Sequence, residues 1–283
     1  MARRASLGVR APRRALVLVV SYHGGAFFGS QRQAGKRTVQ GELERAIEEV
    51  FGVPARTNFA GRTDQGVHAA GQVVSLGDYR PDLSDATIVR ALNAVLPDDL
   101  AVLKADRRPL GFHARYDALW REYRYRLWCG VRQPLVRDVV WQRNDPLLLP
   151  AMQEAAAKLV GTHDLASFAG GGEGVPGSER QERPRGTVRT ILLSEARTIQ
   201  PWWGAGPADG ILYEIRVAAD GFLPRMVRAI VGALVEIGRG KRAPQWIDEL
   251  LAARDRRLGP MTAPAAGLTL WRVGYEGDEP ARE

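Results

Sequence analysis

The chain has 283 residues, 45% hydrophobic and 25% charged, which is enough for one large domain or two closely packed ones and excludes a disordered chain. A single cysteine, Cys129, rules out an internal disulfide and a cysteine-based zinc site and fits a reducing compartment, and no uninterrupted apolar run of about 18 residues is present to span a membrane. Forty basic residues against 32 acidic ones give a formal net charge of +8, and only four of the forty are lysines.

The remaining 36 basic residues are arginines. Guanidinium groups bind phosphates in bidentate fashion and stack on bases, so the excess points to a polyanion partner. GC-rich coding explains the arginine-to-lysine ratio equally well, but it does not explain the positive net charge. The chain opens with Arg3, Arg4, Arg10, Arg13 and Arg14. Leu16 to Val20 is too short and too β-branched for a signal-peptide core, so this basic arm is read as a mature extension.

In chain order, the β-branched run Arg14 to Tyr22 predicts a buried strand, followed by a turn at Gly24–Gly25. Val39, Leu43, Ala46, Ile47 and Val50 recur at helical spacing within Val39 to Phe51, with Thr38 placed to cap the helix. Short strands are expected at Thr57 to Ala60 and Gln72 to Leu76. A second helix, capped by Ser84, runs through Leu96 and stops at Pro97, and a strand follows at Leu100 to Lys104. In the second half, Tyr123 to Trp128 alternates like a half-buried strand and Leu147 to Val160 reads as helix. Strands at Val188 to Ser194 and Ile211 to Ala218 precede a helix at Phe222 to Ile237. A short helix at Gln245 to Ala253 and a strand at Leu268 to Val273 close the pattern. The Gly-, Glu- and Arg-rich segment from Gly170 to Gly186 has no period and is read as a long loop.

Two halves of like order predict an α+β fold: mixed, largely antiparallel sheets joined into one platform, helices on one face, and an active-site cleft between the halves. The divisions are a basic arm at 1–13, an N-terminal half at 14–110, a C-terminal half at 111–275 and a tail at 276–283.

No phosphate-binding glycine loop or nucleophile elbow is present. Asp64 and His68, joined by His23, His113 and His163, would make a metal site only if separate segments converged, since no two of these histidines share a helical turn. The loop Gly61-Arg62-Thr63-Asp64-Gln65-Gly66-Val67-His68-Ala69 has two readings. One is turn chemistry, with Asp64 bonding its own backbone. That explains the glycines but not the clustering of Arg62, Thr63, Asp64 and His68, which a functional loop explains.

These nine residues resemble the active-site loop of the tRNA pseudouridine synthase A family. The resemblance continues, in the family's order, through Thr38-Val39-Gln40, Leu92-Asn93, Phe112-His113-Ala114-Arg115, Arg121-x-Tyr123-x-Tyr125, Gly161-x-His163-Asp164 and Phe222-Leu223 with Met226-Val227-Arg228. It covers the chain from about Leu16 to Tyr275.

The resemblance implies a tRNA pseudouridine synthase acting at positions 38, 39 and 40 of the anticodon stem-loop. Asp64 would be the catalytic nucleophile and Arg62 the residue inserted where the uridine leaves the stack. Tyr123 would pack on the base, and Arg228 would pair with the aspartate. It also implies a cytoplasmic homodimer bound to tRNA, with no membrane or DNA partner. The reaction breaks N1–C1′, turns the uracil and joins C5 to C1′, so it needs no cofactor or metal. In a dry pocket a carboxylate tends to protonate, and a neighbouring arginine counters that. Tyr123 could accept the C5 proton if its phenol pKa were lowered. Asp64 would attack either C6 of the base or C1′ of the sugar.

Two departures from the family stand out: His23 and Ser30 occupy positions where it carries Asp and Trp, which weakens any RNA contact inferred there. The 170–186 loop is also longer than usual and lacks the family's common cysteine. Two other classes remain open. One is a non-catalytic RNA-binding protein on the same scaffold, and the other is a metal-dependent nuclease using Asp64 and His68.

Overall fold

The computed structural model describes residues 14–77, 82–170, 186–206 and 208–280. The basic arm, the centre of the 170–186 loop and the end of the tail lie outside them.

Among the described residues, ten strands form one mixed sheet. The N-terminal part comprises β1 (Arg14–Tyr22), β2 (Asn58–Phe59), β3 (His68–Leu76) and β4 (Leu100–Pro109), with helices α1 (Val39–Phe51) and α2 (Asp85–Asn93). The C-terminal part comprises β5 (Trp120–Gly130), β6 (Trp141–Arg143), β7 (Gly161–Asp164), β8 (Val188–Ile199), β9 (Gly210–Ala219) and β10 (Leu268–Gly274), with helices α3 (Leu149–Ala157), α4 (Met226–Gly238) and α5 (Trp246–Ala253).

The strand order is β4-β1-β3-β10-β5-β9-β8-β7, with β2 beside β3 and β6 beside β5. The last strand therefore enters the middle of the sheet. β10 runs antiparallel to β5 but parallel to β3, and the parallel pairing covers only Thr269 opposite His68 and Leu270 opposite Ala69. This short seam is where the N-terminal strands meet the rest.

Register explains which face the helices cover. Leu18 lies opposite Val74 and Ala105, and Val20 opposite Gln72 and Val102, so these side chains share one face. α1 brings Val39, Leu43, Ala46 and Ile47 to this core, all fully buried, each contributing roughly 1.5–3 kcal/mol for the larger side chains. Thr38 caps α1 as its sequence predicts, its hydroxyl accepting from the N–H of Gly41. At the outer edge, the Asn93 amide both donates to the carbonyl and accepts from the N–H of Val102, blunting an exposed strand.

The same face continues through Tyr123, Tyr125 and Leu127 of β5, opposite Val217, Ile215 and Tyr213 of β9. α4 covers it and is buried on almost every side. Gly232 is required there, because a Cβ at that position would occupy the place of the Met261 carbonyl oxygen.

The opposite face of β5 is not the solvated face its alternation suggests. Arg124 and Arg216 both donate to Glu122 Oε1 at 2.9 Å, Arg216 reaches Glu195 at 2.8 Å, and Arg197 reaches Glu214 at 2.9 Å. Trp271 stacks on the guanidinium of Arg124 at 4.2 Å. Pairing of this density is what makes burial of so many charges tolerable.

Several boundaries differ from expectation for local reasons. β3 begins at His68 and not Gln72, so the end of the unusual loop is already strand. α4 begins at Met226 and not Phe222, because Pro224 and the left-handed Arg225 (φ 56°) stop the helix from extending backwards. β6 and β7 are too short to show a period in the sequence. No helix among the described residues is long and apolar enough to cross a membrane.

Candidate active site

A cleft of about 800 Å³ opens over the helix-covered face near the seam. Its walls include the loop before β3, the 113–118 turn, Tyr123 of β5 and the segment 220–227 leading into α4. Three of the four residues singled out from the sequence, Arg62, Asp64 and Tyr123, line it, and Arg228 lies behind the wall within ion-pair distance of Asp64.

Asp64 and Arg228 form an ion pair, Oδ2 to Nη1, at 3.6 Å. The distance is longer than a hydrogen bond. Arg228 spends its Nε–H on the carbonyl of Ala263 at 2.7 Å, which fixes the guanidinium and leaves Nη1 towards the carboxylate. The Asp64 side chain is 42% exposed and that of Arg228 17%. The pocket is thus open to water on the Asp64 side, and the dry environment expected for the carboxylate is absent in the free protein.

Arg62, two residues earlier, is exposed on the same loop. Desolvation in the cleft, then the charge of Arg115, lowers its pKa, though an arginine stays protonated at neutral pH. Tyr123 is buried, stacked edge-on against Phe222 with ring centroids 4.9 Å apart, and its hydroxyl reaches the carbonyl of Arg62 at 3.5 Å. Burial pushes the Tyr123 phenol well above the ordinary tyrosine value. That is opposite to the lowering a general base would need, so the ring, and not the phenolate, is what Tyr123 offers.

Sequence reasoning missed the residues that hold the loop. Ser30 is buried, and it clasps Thr63 twice: the Ser30 N–H donates to the Thr63 carbonyl at 3.0 Å, and the Thr63 N–H donates to the Ser30 hydroxyl at 2.9 Å. Tyr22 and Thr63 share a hydroxyl–hydroxyl bond of 2.8 Å, and burial raises the Tyr22 phenol to about 12. Arg121, also buried, donates to the carbonyl oxygens of Ala60, Arg115, Ala118 and Asp220 and so ties three walls of the cleft together. The signal for Arg121 lay in its motif, but nothing in the sequence says that its partners are main-chain carbonyls.

The metal reading of Asp64 with His68 is not supported by the geometry. His68 Nδ1 accepts from the N–H of Gly24 and Nε2 bonds the Ala266 carbonyl, so both ring nitrogens are engaged. The His23 ring lies tilted against that of His68 at 4.6 Å, while His113 stacks on Tyr116 elsewhere in the cleft. Among the described residues, no group of three His, Cys, Asp or Glu side chains is placed to hold a metal ion. Beyond Arg62, the cleft carries Arg115, Arg121, Arg189 and Arg225 against the carboxylates Asp64, Asp117 and Asp220. Arg121 and Arg189 are buried and bonded to main-chain carbonyls, so the accessible cations are Arg62, Arg115 and Arg225. A site with a paired carboxylate, a buried aromatic ring and these arginines can attack an electron-poor carbon while holding a phosphate-bearing substrate.

A family model described as tRNA pseudouridine synthase matches residues 18–117 and 155–276. Among curated relatives, a tRNA pseudouridine synthase A from Geobacillus kaustophilus is 42% identical, over 92% of this chain and 94% of its own length. Those from Nitratidesulfovibrio vulgaris (43% identical, 92% and 99%) and Chloroflexus aurantiacus (42% identical, 93% and 89%) are similar.

Proposed function

The chain belongs to the tRNA pseudouridine synthase family, and from that membership we propose that it isomerises uridine to pseudouridine at positions 38, 39 and 40 of the tRNA anticodon stem-loop, with Asp64 as nucleophile. The single observation that carries the residue assignment is the 3.6 Å pair between Arg228 and Asp64, the carboxylate that lines the cleft.

The target uridine must leave its stack, at a cost of a few kcal/mol. Arg62, exposed on the loop that carries Asp64, fills the vacated place and offsets part of that cost. The uracil then rests on the Tyr123 ring, a π-face that accepts any base orientation during the turn. Asp64 attacks the nucleoside, the N1–C1′ bond breaks, C5 joins C1′, and the bond to Asp64 is released to restore the free carboxylate; the C5 proton leaves to water and N1 takes one up from it. Every atom of the base and sugar skeleton is retained, so the step needs no redox partner. Arg228 supplies a fixed positive charge beside the carboxylate throughout, and bound tRNA covers the side of Asp64 now open to water, strengthening that interaction.

The arginine excess contacts tRNA phosphates, with recognition of shape and backbone ahead of base edges. The protein works in the cytoplasm as a homodimer in which one tRNA engages both subunits.

The test uses tRNA carrying tritium at uridine C5. Release of label to water in the presence of EDTA is expected, with pseudouridine mapped to positions 38–40. RNA binding without release would point to a non-catalytic RNA-binding protein, and EDTA-sensitive cleavage to a nuclease.

A further inference from the structure

We infer that His68 is a positioning residue that sets the Asp64–Arg228 geometry by bridging the catalytic loop to the segment that holds Arg228. The inference rests on the function proposed above and concerns the same site.

His68 is the first residue of β3, four positions after Asp64, and is 4% exposed. The Gly24 N–H can only donate, so Nδ1 of His68 accepts at 3.0 Å and carries no proton. The ring proton is then on Nε2, which donates to the carbonyl of Ala266 at 3.1 Å. A neutral imidazole with both nitrogens engaged has one orientation, and the His23 ring lies tilted beside it at 4.6 Å. Gly24 has no room for a side chain, since a Cβ would meet the Val67 carbonyl, and this close approach brings its N–H to the ring.

The acceptor, Ala266, belongs to the segment 259–267 that lies on α4 over Gly232. Three residues upstream, Ala263 is clamped to Arg228 in both directions: its carbonyl accepts from Arg228 Nε at 2.7 Å, and its N–H donates to the Arg228 carbonyl at 3.0 Å. Arg228 and His68 are thus fixed to two ends of one short piece of chain. The remaining link is the turn in which the Val67 N–H donates to the Asp64 carbonyl at 3.1 Å. Asp64, His68, Ala266, Ala263 and Arg228 close a ring, and its last side is the 3.6 Å ion pair. Beside this ring the two parts of the sheet pair over only two residue pairs, one of which includes His68.

The experiment separates the two bonds of His68 in the full-length protein. His68→Asn keeps an acceptor near the Nδ1 position and loses the donor to Ala266; His68→Gln places an amide donor near Nε2. Tritium release is measured for both, for Arg228→Ala and for the double variants, with tRNA affinity and melting temperature in parallel. The expected result for His68→Asn is a kcat lowered at least about tenfold with KM within about twofold, and for His68→Gln a kcat within about threefold of wild type. In the Arg228→Ala background, His68→Asn should cost less than a further twofold, because its effect runs through Arg228. Losses that multiply independently, or a His68→Gln protein that folds yet loses as much turnover as Arg228→Ala, would overturn the inference. If His68→Asn does not fold, the His68→Gln comparison decides alone. Absence of release from the wild-type protein would instead refute the proposed reaction, leaving these two failures distinguishable.

Discussion

Ser30 and Thr63 are joined by a reciprocal pair of hydrogen bonds, 3.0 Å from the Ser30 N–H to the Thr63 carbonyl and 2.9 Å from the Thr63 N–H to the Ser30 hydroxyl. Thr63 is the neighbour of Asp64, so the carboxylate hangs from a backbone fixed at its N-terminal side. Ser30→Ala leaves a buried N–H without its acceptor and should cost about 1–3 kcal/mol of stability. Turnover should fall more than tRNA affinity, which steady-state kinetics together with a chemical denaturation curve will show. Loss of affinity at unchanged kcat would mean that Ser30 serves RNA contact.

Arg62→Ala should likewise separate turnover from binding. An inserted side chain acts after docking, once the uridine has left the stack, so kcat should drop about tenfold or more while tRNA affinity changes little. Equal losses in both, with a shallower salt dependence of binding, would identify Arg62 as a phosphate contact only.

Tyr123→Phe tests what the buried tyrosine contributes. Burial raises its phenol, so the neutral form persists past the ordinary tyrosine pKa of about 10. The phenylalanine variant should retain kcat within about threefold, and Tyr123→Ala, which removes the stacking face, should lose on the order of 1–3 kcal/mol of transition-state stabilisation. The wild-type pH–rate profile should show no limb from phenol ionisation below pH 10. A Phe variant as inactive as the Ala variant would restore a proton-transfer role.

His68 also makes stability depend on pH. Burial, then the charge of His23, pushes its imidazole down to about 4 from an ordinary 6.5. The unfolded chain takes up this proton near pH 6.5 and the folded chain only near pH 4. The contribution of the neutral ring is therefore present in full above pH 6.5 and is lost as pH falls from 6.5 to below 4, on the order of 3 kcal/mol. Denaturation curves at pH 7 and pH 4.5 should show a larger drop for wild type than for His68→Gln. Equal drops would contradict the assignment.

Much of this arrangement was legible in the sequence where a pattern repeats or a motif carries chemistry. The periodicity of Val39 to Phe51 and its Thr38 cap define α1 to the residue. The motif around Asp64 and Tyr123 marks groups that line one cleft, and Arg228 marks the cation that pairs with Asp64 at its edge. What could not be read depends on contacts between distant segments. Ser30 stands in the sequence as a departure from a family pattern, with no sign that its hydroxyl would seat Thr63. Arg124 and Arg126 look like the wet side of an alternating strand, yet Glu122 and Glu214 pair them within a buried face. The Phe222 end of α4 reads as helical by spacing, but Pro224 and a left-handed Arg225 detach it, freeing Phe222 to pack against Tyr123.

The central claim is that Asp64 performs the chemistry. Its most direct measurement is release of tritium from C5-labelled tRNA by Asp64→Asn, beside the affinity of the same variant for the same tRNA. The account predicts that release is abolished while binding stays within a few-fold of wild type. Release at the wild-type rate from Asp64→Asn would contradict it.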